Sequence, residues 1–176
     1  SRALSLFFEG QMNEFLNHAD FKGNIYPIFS GGDDFFVIGA WDKVFEFAKF
    51  IRSSFEKYVK HDKRLTLSAA LLALDTNFPV ARFGKLAEER LHEAKSYREE
   101  KDMINVFDIN LTWQEFEEAE ALKTKLVTLV NVHGESRAMI EKVQKSTAGL
   151  KKILSDLKSR KNIYMPRVWR LAYYLR

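Results

Sequence analysis

"FSGGDDFFVI", residues 29–38, sets two glycines and two carboxylates between runs of strand-forming apolar residues. With "NIYPIFS" before it and "FFVIGAW" after it, the stretch reads as a β-hairpin whose two-residue turn is Gly31-Gly32, because glycine tolerates the positive φ that such turns require. The hairpin itself has no use for Asp33 and Asp34. Adjacent residues on a strand point to opposite faces, but the twist at the mouth of a turn can bring both carboxylates toward one cation. Two like charges side by side repel unless a cation offsets them, and hard oxygen donors of this kind suit Mg²⁺ or Mn²⁺. A carboxylate-held metal at the end of a hairpin points to phosphoryl chemistry. The plainer reading is a solvated turn, since Asp and Gly are common turn residues.

Outward from the hairpin, the spacing of Leu4, Phe7, Phe8, Met12, Phe15 and Leu16 predicts a helix from about residue 2 to 18. After the hairpin, Asp42 is placed to cap a second helix, whose Val44, Phe47, Ala48, Ile51, Phe55 and Tyr58 share a face. "RLTLSAALLAL" reads as a buried strand, Phe83 to about Ser96 as a third helix and "MINVFDI" as a last strand. Thr112 and Glu115 have capping-box spacing and open a region read as helical to Arg176, with breaks at Gly134 and "SRKNIYMP". Its clearest stripe is Met139, Val143, Thr147, Leu150, Leu154 and Leu157.

The order before Thr112 is helix, strand, strand, helix, strand, helix, strand. This fits an α+β, ferredoxin-like split βαβ whose first strand is absent from the chain. That strand is central in the plan, and without it both flanking strands expose unpaired backbone groups. The expectation is an N-terminally incomplete domain at residues 1–111 and an incomplete helical domain at 112–176, as parts of a longer polypeptide.

Composition narrows the class. The chain has 176 residues, 46% of them hydrophobic, including fifteen Phe, six Tyr and three Trp, which is enough to bury a core. With no cysteine it can form neither a disulfide nor a thiolate metal site. No apolar run reaches membrane-spanning length and nothing at the start reads as a signal peptide, so the expected setting is cytoplasmic. The net charge of +4 conceals an asymmetry: about +10 from Ala121 onward and about −6 before it.

"IYPIFSGGDDFFVIGAWDKVFEFAKFIR" closely resembles the second palm domain of the large subunit of type III CRISPR effector complexes, Csm type. "LTLSAALLALD", "FGKLAEERLHEAKS" and "NVFDINLTW" are similar to the strand, helix and strand that follow in that family, and "RVWRLAYYLR" resembles part of its helical C-terminal domain. More distantly, the same segments resemble the GGDEF diguanylate cyclases. The resemblance implies a palm that makes cyclic oligoadenylates from ATP when target RNA binds the complex. It implies that Asp33 and Asp34 bind metal and catalyse, and that Ser30, Gly31 and Gly32 line the nucleotide site. Lys95, in "EAKS", matches a lysine that binds nucleotide phosphates in the cyclases. Glu99 stands where those enzymes add a basic residue, and Ala70 replaces the glycine after the serine that Ser68 matches. Other protein subunits, guide RNA and target RNA are the partners implied.

Two readings compete with this one. A diguanylate-cyclase-like enzyme would use GTP, although the glutamate of its turn motif is replaced by Asp34. A non-catalytic scaffold subunit would keep the fold and bind no nucleotide. His61-Asp62 spells the dipeptide of HD phosphohydrolases, but His18, His92 and His133 lack ligand spacing. The basic helices either present solvated lysines or lie against RNA phosphates, and sparse aromatics between Ala121 and Asn162 argue against base stacking.

Overall fold

The computed structural model describes residues 2–62 and 64–147. The chain divides into two compact units, Ser1–Phe116 and Glu117–Arg176.

The first unit is α+β. It opens with helix α1 (Arg2–Ser5), a π-helical turn (Leu6–Gly10) and α2 (Met12–Leu16) in place of the single helix expected. The π-helical turn changes the angular phase of the apolar series, yet Phe7, Phe8, Met12 and Phe15 are all still buried. Strands β1 (Ile25–Gly31) and β2 (Asp34–Gly39) form the antiparallel hairpin, pairing Gly31 with Asp34 and carrying an irregularity between Pro27 and Phe29. Gly39 allows a close crossing, because a Cβ there would lie 2.3 Å from the Asn24 carbonyl oxygen.

Helix α3 (Trp41–Tyr58) starts two residues earlier than an Asp42 cap requires. Ala40 is its N-cap and makes no side-chain cap bond, while Asp42 lies in the first turn, where a carboxylate favours the helix dipole. The long apolar run expected as a strand pairs only over β3 (Ala69–Leu71). Helix α4 (Phe83–Tyr97) carries the chain from β3 to β4 (Met103–Val106), which lies parallel to β3 as a crossover of this length allows. The last expected strand is instead a second hairpin: β4 turns through Phe107-Asp108 into β5 (Ile109–Thr112).

The strands make two sheets, β1-β2 and β3-β4-β5. The break falls between β2 and β3, the two strands that the ferredoxin-like plan sets on either side of its first strand. Two buried clusters cover the sheets. One joins Phe7, Phe8, Phe15, Phe21, Ile25, Phe47, Ile51 and Phe55, with Phe35 and Val37 of β2 packed against it. The other joins Phe45, Leu71, Ile104, Val106, Trp113 and Phe116. Helix α3 contributes to both, because Phe45 and Phe47 lie on different sides of its apolar face. Each Phe so buried contributes about 2–3 kcal/mol. Arg52 of α3 adds a polar tie, pairing with Asp102 at 2.8 Å and with Glu56 at 2.9 Å while lying 5.5 Å from the Trp113 ring centre.

Helix α5 (Trp113–Asn131) begins at the capping box that the sequence predicts. The Thr112 N–H donates to Glu115 Oε2 at 2.8 Å, and the Glu115 N–H donates to Thr112 Oγ1 at 3.1 Å. Residues 117–131 of α5 and α6 (Ala138–Thr147) are the described elements of the second unit. Gly134, with φ +72, lies in the break between them, as expected. Met139, Val143 and Thr147 fall within α6; the rest of that stripe, "SRKNIYMP" and "RVWRLAYYLR" lie outside the described residues. Among the described residues no helix is long and apolar enough to cross a membrane.

Candidate functional site

The hairpin turn is built one residue later than the glycine pair suggests. Gly31 ends β1 and pairs with Asp34, so Gly32 and Asp33 are the central residues. Of these only Gly32 has positive φ, at +64. That sign pattern belongs to a turn with glycine first, so Asp33 can follow without left-handed strain. Gly31 answers a packing need instead: a Cβ there would lie 3.1 Å from Cζ of the Phe29 ring.

Asp33 and Asp34 are both exposed at the tip. Two side chains from elsewhere in the fold converge on this tip, and one contact of β1 itself fixes its approach. Lys95, in the last turn of α4, places Nζ 3.3 Å from Asp34 Oδ1, a contact between positions 61 apart in the chain. Glu9, in the π-helical turn, accepts a 2.8 Å hydrogen bond from the Gly32 N–H through Oε1. Ser30 Oγ donates to the Phe8 carbonyl at 3.0 Å and so fastens β1 to the same π-helical turn. Ser30, Gly31, Gly32, Asp33, Asp34 and Lys95 therefore occupy one end of the first unit. Glu9 has no signal in the sequence, because its place depends on the π-helical turn and on a contact 23 residues away.

The donor set suits a hard divalent ion at Asp34, whose carboxylate already attracts a positive charge in the form of the Lys95 ammonium. Asp33 brings a second exposed carboxylate beside it. Among the described residues no group of three or more His, Asp or Glu side chains forms a metal-binding cluster.

The His61-Asp62 dipeptide is structurally explained. His61 adopts φ +59 just beyond the C-terminus of α3, and the Asp62 carboxylate receives bonds from Arg64 Nε at 3.0 Å and Nη2 at 2.7 Å. Those bonds from Arg64 hold the Asp62 carboxyl down at about 2. Ser68 has a structural role as well, donating to the Lys101 carbonyl next to β3.

Residues 1–105 match the family model described as Cas10/Cmr2, second palm domain. The CRISPR system single-strand-specific deoxyribonuclease Cas10/Csm1 (subtype III-A) of Methanocaldococcus jannaschii is 32% identical over 161 residues, covering 80% of this chain and 20% of that protein. The protein of the same description from Enterococcus italicus is 30% identical over 177 aligned residues, covering 99% of this chain and 21% of that protein. A crystal structure of a Csm1-Csm4 cassette in complex with one ATP superposes with a TM-score of 0.57 at 29% identity, covering 67% of this chain and 20% of that one. The chain thus spans about a fifth of the length of the curated relatives it matches.

Proposed function

This chain belongs to the family of the Cas10/Cmr2 second palm domain, and on that premise we propose that it is the ATP-consuming nucleotidyltransferase module of a Csm-type large subunit. The complex around it is an RNA-guided antiviral effector, with other protein subunits, guide RNA and target RNA as partners. In the reaction a 3′-oxygen of one ATP bonds to the α-phosphorus of another, the bond to the bridging oxygen breaks, pyrophosphate leaves and the hydroxyl proton is lost. Repetition gives a linear oligoadenylate, and the same displacement within one chain closes the ring. Pairing of target RNA with the guide switches the module on.

Asp33 and Asp34 hold Mg²⁺ or Mn²⁺, which when bound supplies an acidified 3′-hydroxyl and charge neutralisation on the triphosphate. Gly32, open on its outer side, lets a phosphate approach the turn backbone. Ser30 fixes the approach of β1 to the turn through the Phe8 carbonyl. Lys95 directs its ammonium to the same place and balances phosphate charge. The observation that carries the reading is this convergence: an acidic pair at a glycine turn with a lysine from a distant helix 3.3 Å from one of its carboxylates. The ATP named for the solved relative is consistent with it.

The test uses the full-length subunit assembled with guide RNA and its partners, incubated with α-labelled ATP, Mg²⁺ or Mn²⁺ and matching target RNA. An Asp33→Ala, Asp34→Ala variant is assayed in parallel. The expected result is target-dependent oligoadenylate from the parent and at least about a hundredfold less from the variant. Equal product from both removes the metal role, a preference for GTP selects the diguanylate-cyclase reading, and no product from either selects the scaffold.

A further inference from the structure

Two side chains at the turn carry the charges that a metal-bound triphosphate would bring to it. The Lys95 ammonium lies 3.3 Å from Asp34 Oδ1, where the proposed function places a divalent cation. The Glu9 carboxylate accepts the Gly32 N–H at 2.8 Å, where the turn backbone would meet a phosphate. Both reach the tip from elements distant in sequence, α4 and the π-helical turn. The contacts are also exchangeable. The side chains of Lys95 and Asp34 are 40% and 57% exposed, and an ion pair open to water is held only weakly. Glu9 is exposed too.

We infer that Lys95 and Glu9 are charge placeholders at the turn. A divalent cation exchanges with Lys95 on Asp34, and a nucleotide phosphate exchanges with Glu9 at the Gly32 amide. The inference rests on the metal-and-nucleotide reading above and adds to it that binding there is a displacement. It gives Lys95 opposite effects on the two ligands. Before nucleotide arrives its ammonium competes with the metal for Asp34; once displaced, the same charge attracts the triphosphate. It also makes Glu9 a residue that tunes nucleotide affinity by charge, separately from its use as a hydrogen-bond acceptor.

The experiment titrates Mn²⁺ against the full-length protein, following free Mn²⁺ by electron paramagnetic resonance. The binding lost in the Asp33→Ala, Asp34→Ala variant is taken as the contribution of the turn. Lys95→Met is expected to tighten that Mn²⁺ site about fivefold without nucleotide, and to weaken ATP by a similar factor when Mn²⁺ saturates. Lys85→Met, which removes the same charge from the other end of α4, is expected to change neither, and Lys95→Arg to stay close to the parent. Glu9→Gln keeps an oxygen acceptor for Gly32 but loses the charge, and should tighten ATP about fivefold with Mn²⁺ affinity unchanged. Unchanged or weakened Mn²⁺ binding in Lys95→Met overturns the inference, as does an equal gain in Lys85→Met. Weaker ATP binding in Glu9→Gln overturns it as well, by making Glu9 a support of the turn alone. If the double aspartate variant loses no Mn²⁺ binding, the metal reading itself fails and takes the inference with it.

Discussion

Gly31 and Gly32 stand side by side under different constraints. Gly32 holds φ +64 with open space around it, so a side chain there would be penalised by the backbone alone. Gly31 meets the Phe29 ring, which is 55% exposed and can swing aside. Gly32→Ala should therefore destabilise the domain by about 1–2 kcal/mol, and Gly31→Ala by clearly less. Urea unfolding of the two variants ranks them; equal losses would show that the turn is not built as described. At this scale the acidic pair is legible because Asp33 and Asp34 are contiguous and a hairpin does not need them. Which glycine takes the strained position is not, since a register one residue later uses the same letters. Lys95 is distinguished by resemblance, whereas Glu9 becomes visible only through a tertiary contact.

Helix α5 shows how far local signals carry at the scale of an element. Thr112 and Glu115 meet across three positions, so their spacing predicts the bonds that form. The bonds from the Thr112 backbone and hydroxyl lower the Glu115 carboxyl below its ordinary value. Because the folded pKa is depressed, the contribution is present above the unfolded value of 4.5 and is lost as pH falls through the folded one. Glu115→Gln should accordingly be less stable than the parent at neutral pH, with the difference shrinking once pH drops below 4.5. Thermal unfolding of both proteins from neutral pH to pH about 3 checks this; a constant gap would remove the carboxylate's charge from the cap. The β4-β5 hairpin escaped the same kind of reading. Its central residues, Phe107 at φ +50 and Asp108 at φ +64, take the conformation usually signalled by Asn-Gly. Compensating contacts are tertiary: Phe107 packs on Phe45 with ring centres 5.6 Å apart, and Asp108 lies 2.7 Å from Arg90 Nε. No neighbour in the sequence announces either partner.

Across the whole first unit, the order of elements was readable because each amphipathic segment must bury its apolar face, and the ferredoxin-like plan followed from that order, while the palm came from the resemblance. The extent of pairing was not, because a strand persists only where a neighbour accepts its hydrogen bonds. The run expected to be a long strand is paired only over Ala69–Leu71, with β4 on one side. Among the described residues no strand pairs with its other edge or with the outer edge of β2. Helix α3 belongs to the clusters under both sheets, so an added strand between β2 and β3 would find an apolar layer already in place beneath it. The amides of β2 that point away from β1, and those of β3 that point away from β4, should therefore exchange hydrogen rapidly in the 176-residue chain. In the full-length protein the same amides should slow by on the order of a hundredfold while the inward-facing amides of β1 change little. Peptide-resolved hydrogen exchange on both proteins decides the matter. Equal rates would mean that β2 and β3 remain edges and that the sheet stays in two parts; selective slowing would mean that one inserted strand joins them and carries the turn of Asp33 and Asp34 on a continuous sheet.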